Sequence, residues 1–211
     1  KEIRSSLPGI DFATPSFLKE DIINFSLLEK FDERAKESGC VFDVLSIRFL
    51  DEEKKDTIQR NKDELKEFLT YLRGNNLISQ KKIIIEDFSF TNQDNLLNDT
   101  IFASSYLTKN LIDNITDIHS LTKDAFFDSF GYEIQKNPFV GKSGIITYNG
   151  IKKATYNIDI FFSKLGTTLL KRGKNFLVTM KGNKIILLLN NYIHYSQAYF
   201  ENPTNPIYQS D

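Results

Sequence analysis

The sequence predicts an α/β fold: the C-terminal half of a (β/α)8 TIM barrel followed by part of a β-sandwich-like domain. Three observations predict it. Strand-like and helix-like stretches alternate roughly four times along the first 165 residues, as parallel βα units do. One strand, Lys82-Ile83-Ile84-Ile85-Glu86, carries three consecutive isoleucines. It reads as buried on both faces, because a half-exposed strand would alternate. After Gly166 the pattern changes to short strands. Four βα units are half of an eightfold barrel, so the other half is expected before Lys1. The barrel portion is placed at residues 1–165 and the β-rich unit at 166–211. A small open α/β sheet fits the same alternation and stands as the rival.

The elements follow in order. A short strand at Ile3–Leu7 runs into Pro8-Gly9. Thr14-Pro15 opens a helix, with threonine as cap and proline in the first turn. Its inward face is Leu18, Ile22, Phe25 and Leu28, and Gly39 ends it. Cys40–Ile47 is mostly apolar and strand-like. The second helix turns Ile58, Leu65, Phe68 and Leu72 to one side and stops near Gly74. After the isoleucine strand, the polar stretch Thr91–Asp99 supplies capping groups to a third helix with Ala103, Leu107, Leu111 and Ile115. A strand near His119–Thr122, an irregular loop and a strand at Gly144–Tyr148 follow. Asn149-Gly150 then turns into a fourth helix with Ala154, Ile158, Phe161 and Leu165 inward. Leu177–Met180 and Ile185–Leu189 flank Lys181-Gly182-Asn183, a hairpin signal.

Composition narrows the function. The 211 residues are 40% hydrophobic and 26% charged with a net charge of −1, an ordinary globular mix without a broad attraction to nucleic acid or membrane. The basic pairs Lys152-Lys153 and Lys171-Arg172 read as solvated faces. No stretch is long and apolar enough to cross a membrane. The single cysteine, Cys40, excludes an internal disulfide and reads as a small core residue. His119 and His194 have no ligand-spaced companions, so no metal site is expected. No cofactor is expected either. Asp43, inside an apolar stretch, reads as a structural hydrogen-bonding or ion-pairing group.

Several stretches resemble glycoside hydrolase family 39, the β-xylosidase and iduronidase family. Phe139–Tyr156, FVGKSGIITYNGIKKATY, is similar to the family's F-H-G-G-F-G-L-L-T-x-x-G-I-K-K-P-A-Y. Asn98–Asn110, NDTIFASSYLTKN, is similar to the helix after its nucleophile strand, and Leu187–Phe200, LLLNNYIHYSQAYF, to its I-L-L-x-N-Y-x-H. The isoleucine strand resembles I-T-E-W-N, which puts Glu86 at the nucleophile position. These matches run in family order from about residue 80 onward.

The departures fall at the family's pocket. Trp-Asn after the nucleophile becomes Asp87-Phe88, and the chain contains no tryptophan. T-H-x-Y becomes Ile47-Arg48-Phe49-Leu50, and Y-W-T-F-S-D becomes Lys123-Asp124-Ala125-Phe126-Phe127-Asp128. F-H-G-G-F-G becomes Phe139-Val140-Gly141-Lys142-Ser143-Gly144. The family's acid lies in an N-E-P motif that is absent here; Glu201-Asn202-Pro203 has another order and reads as a turn. A retaining glycosidase needs two carboxyl groups about 5–5.5 Å apart, so these residues alone do not supply the pair. Scaffold positions match and pocket positions do not.

Worn barrels of this kind also resemble the C-terminal part of AraC-type transcription regulators of the Rsp and Rbf type. That resemblance implies a non-catalytic sensory or interaction domain in the cytoplasm, with DNA bound through a region upstream. The expected effector is a sugar or related small molecule at the barrel rim, near Glu86, Arg48, Phe88 and Lys142. The resemblance implies no membrane partner, and a homodimer is a further expectation. The alternative is an active retaining β-glycosidase with Glu86 as nucleophile and the acid upstream. A purely structural dimerisation module is a third reading. Beside these stand plainer roles: a leftover rim carboxylate for Glu86, a solvated loop lysine for Lys142, and β-domain packing for Tyr192, Ile193, Tyr195, Tyr199 and Phe200.

Overall fold

A computed structural model describes residues 9–49, 63–88, 95–122, 126–128 and 137–193. The chain has an α/β fold with two sheets. The first holds four parallel strands in sequential order: β1 (Phe17–Leu18), β2 (Val44–Arg48), β3 (Lys82–Glu86) and β4 (Ser120–Leu121). The second is antiparallel: β5 (Thr168–Gly173), β6 (Phe176–Lys181) and β7 (Lys184–Leu189). The helices are α1 (Lys19–Ile22), α2 (Ser26–Glu37), α3 (Glu64–Arg73), α4 (Ile101–Asn114) and α5 (Ala154–Lys164), with a 3-10 turn at Leu96–Asp99.

One apolar core joins the parallel sheet to its helices. Leu45 and Ile47 of β2 and Ile83 and Ile85 of β3 meet Leu28 of α2, Leu65 and Leu72 of α3, and Ala103 and Leu107 of α4. Strand order never reverses, and α2, α3 and α4 all share this one core. That is the winding of a (β/α)8 barrel rather than of a doubly wound sheet, whose order reverses at a switch point.

The other face of the sheet is polar. Register sets Ser46, Ile84 and Ser120 side by side, and Arg48 beside Glu86. Barrel interiors are usually filled by branched aliphatics. The expectation of a strand buried on both faces is therefore corrected. Ile83 and Ile85 are fully buried, but Ile84 is only half-buried and Lys82 is exposed.

Other elements depart from the sequence reading. Thr14-Pro15 precedes the short edge strand β1 rather than opening a helix. Helix α1 ends after one turn, and Phe25 sits left-handed at φ 56° before α2 begins. The Asn24 Oδ1 accepts from the Ser26 amide (3.1 Å) and hydroxyl (3.0 Å), a local bond that competes with helix continuation. Cys40 is exposed, because β2 starts only at Val44. The expected strand at Gly144–Tyr148 is reduced to single bridges from Ile146 to Phe127 and Lys152. Phe161, expected inward on α5, is exposed, and the short-strand region after Gly166 opens with β5. The strand at 3–7, Ile58, His194 and Glu201 lie outside the described residues.

The hairpin forms where expected. Gly182 is left-handed (φ +58°) at the first of two central positions between β6 and β7, the arrangement type II′ turns use. Among the described residues no helix is long and apolar enough to span a membrane.

Candidate functional site

Glu86 ends β3 at the C-terminal edge of the parallel sheet, where barrels of this winding carry their chemistry. Two hydroxyls hold its carboxylate. Ser46 of β2 donates its hydroxyl to Oε1 at 2.5 Å, and Ser16, just before β1, donates to Oε2 at 2.8 Å. Ser46 is buried and fixed, since its amide donates to Thr14 Oγ1 at 3.1 Å. Both carboxylate oxygens therefore already accept from hydroxyls.

The next residue turns the chain sharply. Asp87 is left-handed (φ 57°) and buried. Only glycine takes this backbone freely; Asp and Asn tolerate it better than other side chains. The Arg48 guanidinium pairs with the Asp87 carboxylate. Arg48 thus faces Asp87 as well as lying in register with Glu86. Asp87→Gly and Asp87→Ala both remove this ion pair, but only alanine keeps the strained Cβ. Glycine should be the more stable variant by about 1 kcal/mol, read from urea midpoints.

The expected ligand contacts separate in the structure. Arg48 and Glu86 come together, as described. Phe88 does not reach an open face: it is fully buried, stacked on Tyr106 (centroids 5.5 Å, 7° between planes) and tilted against Phe49 (5.4 Å). Its placement as a ligand contact is corrected, because the left-handed turn at Asp87 sends Phe88 into the core. Lys142 is half-buried, and its carbonyl accepts from Lys153 Nζ at 2.8 Å. Asp43 accepts the Phe12 amide at 3.0 Å through Oδ2, a structural bond. His119 is exposed. Tyr192 packs edge-on against Tyr106 at 5.8 Å, and burial pushes its phenol pKa up. Among the described residues no cluster of three His, Cys, Asp or Glu side chains could hold a metal ion.

Sequence reasoning missed two features. Phe126 and Phe127 form an exposed edge-to-face pair (5.0 Å, 79°) shortly after β4. The chain leaves β4 at the Glu86 end, where Thr122 O accepts the Phe88 amide at 3.0 Å. This pair supplies flat aromatic surface in a chain without tryptophan. The second feature is a buried charge cluster. Lys153, read from the sequence as solvated, is only 2% exposed. Its Nζ meets Asp99 Oδ1 at 2.6 Å, Asp128 Oδ1 at 2.7 Å and Lys142 O at 2.8 Å. The contacts to Asp128 and to the Lys142 carbonyl are hydrogen bonds, and the contact to Asp99 is an ion pair. The cluster ties together the turn before α4, the segment after β4, the loop at Lys142 and the start of α5. The lysine lies inside the G-I-K-K match, but only tertiary contact separates it from its exposed neighbour Lys152.

No protein-family model matches this sequence, and no curated protein matches it either. Solved structures do. The chain is similar to a GH39 β-xylosidase from Caulobacter crescentus (12% identity, TM-score 0.60), covering 89% of this chain and 40% of that one. A monomeric β-xylosidase from Caulobacter crescentus CB15 (14% identity, TM-score 0.62) is covered to 40%, over 89% of this chain. The GH39 enzyme from Xanthomonas axonopodis pv. citri (14%, TM-score 0.62) is covered to 40%, over 90% of this chain. At such identities the likeness shows the fold alone, and it is a GH39-like fold. This chain spans about 40% of the length of those proteins.

Proposed function

We propose that this chain is a non-catalytic sensory or interaction domain on a glycosidase-type barrel, part of an AraC-type transcription regulator, holding a sugar-like effector at the rim near Glu86. One observation carries it: the carboxylate at the nucleophile position accepts from Ser46 and Ser16 through both oxygens. It acts as a clasp that joins β3 to β2 and to the segment just before β1. The neighbouring acid, Asp87, is committed to Arg48. The exposed Phe126–Phe127 pair offers a stacking surface for a sugar ring. In this reading residues 1–165 are the barrel portion, residues 166–211 the β-rich portion, and DNA is bound by another part of a longer cytoplasmic protein.

The position of Glu86 favours one alternative, a retaining β-glycosidase whose acid lies elsewhere in a longer polypeptide. Hydrolysis of aryl β-xylosides by the longer polypeptide separates the two. The expected result is no turnover above buffer, with Glu86→Ala indistinguishable from the parent in that assay. In the 211-residue chain, Glu86→Ala should cost about 1–2 kcal/mol of stability, for two lost hydrogen bonds. Turnover abolished by Glu86→Ala would instead establish the enzyme. A panel of monosaccharides followed by thermal shift tests the sensor, since an effector favouring the folded state raises its midpoint.

A further inference from the structure

The two hydroxyls that hold Glu86 differ in how firmly they are themselves held. Ser46 lies within β2, is 3% exposed, and anchors its own amide on Thr14 Oγ1. Its 2.5 Å bond to Oε1 is part of the packed sheet. Ser16 is exposed, and so is its 2.8 Å bond to Oε2. It lies between the Ala13–Val44 bridge and the two-residue strand β1. An exposed hydrogen bond trades one hydroxyl partner for another at small net cost, whereas breaking a buried one strands its donor. One oxygen of the carboxylate is therefore fixed and the other exchangeable. The exchangeable bond also has reach. It crosses β2 and ties the start of β1 to the end of β3, and β1 itself pairs with β2 only at Phe17–Ile47 and Leu18–Arg48.

We propose that Glu86 Oε2 is the effector-facing atom, that a hydroxyl of a pyranose ring displaces Ser16 from it, and that effector binding so loosens the segment before β1. This inference rests on the effector reading above. A neutral polyol suits the exchange, because one hydroxyl donor replaces another. A phosphate or carboxylate would bring like charge to the same oxygen. Ser16 is then an internal competitor. The effector reaches its atom only in the fraction of molecules where Ser16 has let go, and its apparent affinity falls by that fraction. Removing Ser16 should tighten binding, the opposite of deleting a ligand contact.

The test titrates the methyl β-glycosides of xylose, glucose and galactose into the 211-residue chain, followed by calorimetry. Ser16→Ala, at an exposed position, should bind about three- to tenfold more tightly than the parent. Ser16→Thr keeps the hydroxyl and should restore the parental affinity. The gain should vanish in a Glu86→Ala background, as expected of residues that act through one contact. Hydrogen exchange over residues 13–18 should quicken when sugar saturates the parent, and should already be fast in sugar-free Ser16→Ala. Equal or weaker binding by Ser16→Ala overturns the displacement while the effector site stands. Exchange over 13–18 that sugar leaves unchanged overturns the loosening. Binding of none of the three glycosides by either chain overturns the effector reading, and this inference with it.

Discussion

Lys153→Met should destabilise the fold by about 3–5 kcal/mol, because removing one member of a buried ion cluster strands the others. Methionine keeps much of the volume but none of the donors. Asp128, fully buried at its side chain, and Asp99, nearly so, would face each other without a cation. The carbonyl of Lys142 would lose its donor too. Urea unfolding of the 211-residue chain measures the cost, and a loss under about 1 kcal/mol would show that the cluster is dispensable. Adding Asp99→Asn and Asp128→Asn should restore much of the loss, since neutral amides tolerate the methionine better than carboxylates do. Acidity provides an independent check. Burial holds the Asp128 carboxyl above its ordinary value of 3.8, and Lys153 beside it offsets this only in part. A raised folded pKa means tighter proton binding in the folded state. The Asp128 contribution is therefore fully present below pH 3.8 and is lost as pH rises through the folded pKa. The stability advantage of the parent over Asp128→Asn should grow as pH falls from neutral toward 4, as measured by urea midpoints at each pH.

Gly166→Ala should cost about 2–3 kcal/mol through overpacking. A Cβ on Gly166 would lie 1.9 Å from the carbonyl oxygen of Met180 and 2.7 Å from the Lys181 nitrogen. Both are backbone atoms, so no side-chain rotation relieves the clash. The Gly166 amide also donates to Thr179 Oγ1 at 2.9 Å, which pins this junction between α5 and β6. Space alone is at stake here. Gly182 supplies the contrast, since it has φ +58° and nothing within 4 Å of its would-be Cβ. Gly182→Ala should therefore cost about 1–2 kcal/mol from backbone strain alone. Thermal or urea unfolding of the two variants separates crowding from strain. Gly166→Ala no worse than Gly182→Ala would mean that the α5–β6 junction yields to the added carbon.

The regular parts of the fold were legible in the residues. Lys82–Glu86 forms the strand expected of it, and the helix around Leu65, Phe68 and Leu72 ends at Gly74. Gly182 marks the hairpin. Local chemistry suffices for these, because apolar period and turn residues act over a few positions. The site was legible only in outline. Glu86 and Arg48 could be placed at the rim, but nothing local reveals that Ser16, 70 positions away, holds the carboxylate. Nor does it reveal that Phe88 turns inward while its neighbour Asp87 stays left-handed.

Periodicity and turn chemistry in the amino-acid order were enough to establish parallel βα units giving way to a hairpin sheet. Tertiary packing alone settled the fate of charge. It buried Lys153 and left Lys152 exposed, although the two are adjacent and chemically identical. It also made one face of β2 and β3 apolar and the other polar. The reason is that the cost of burying an ion depends on which distant partners arrive to meet it. Those partners, Asp99 and Asp128, come together with Lys153 only when the chain has closed around them.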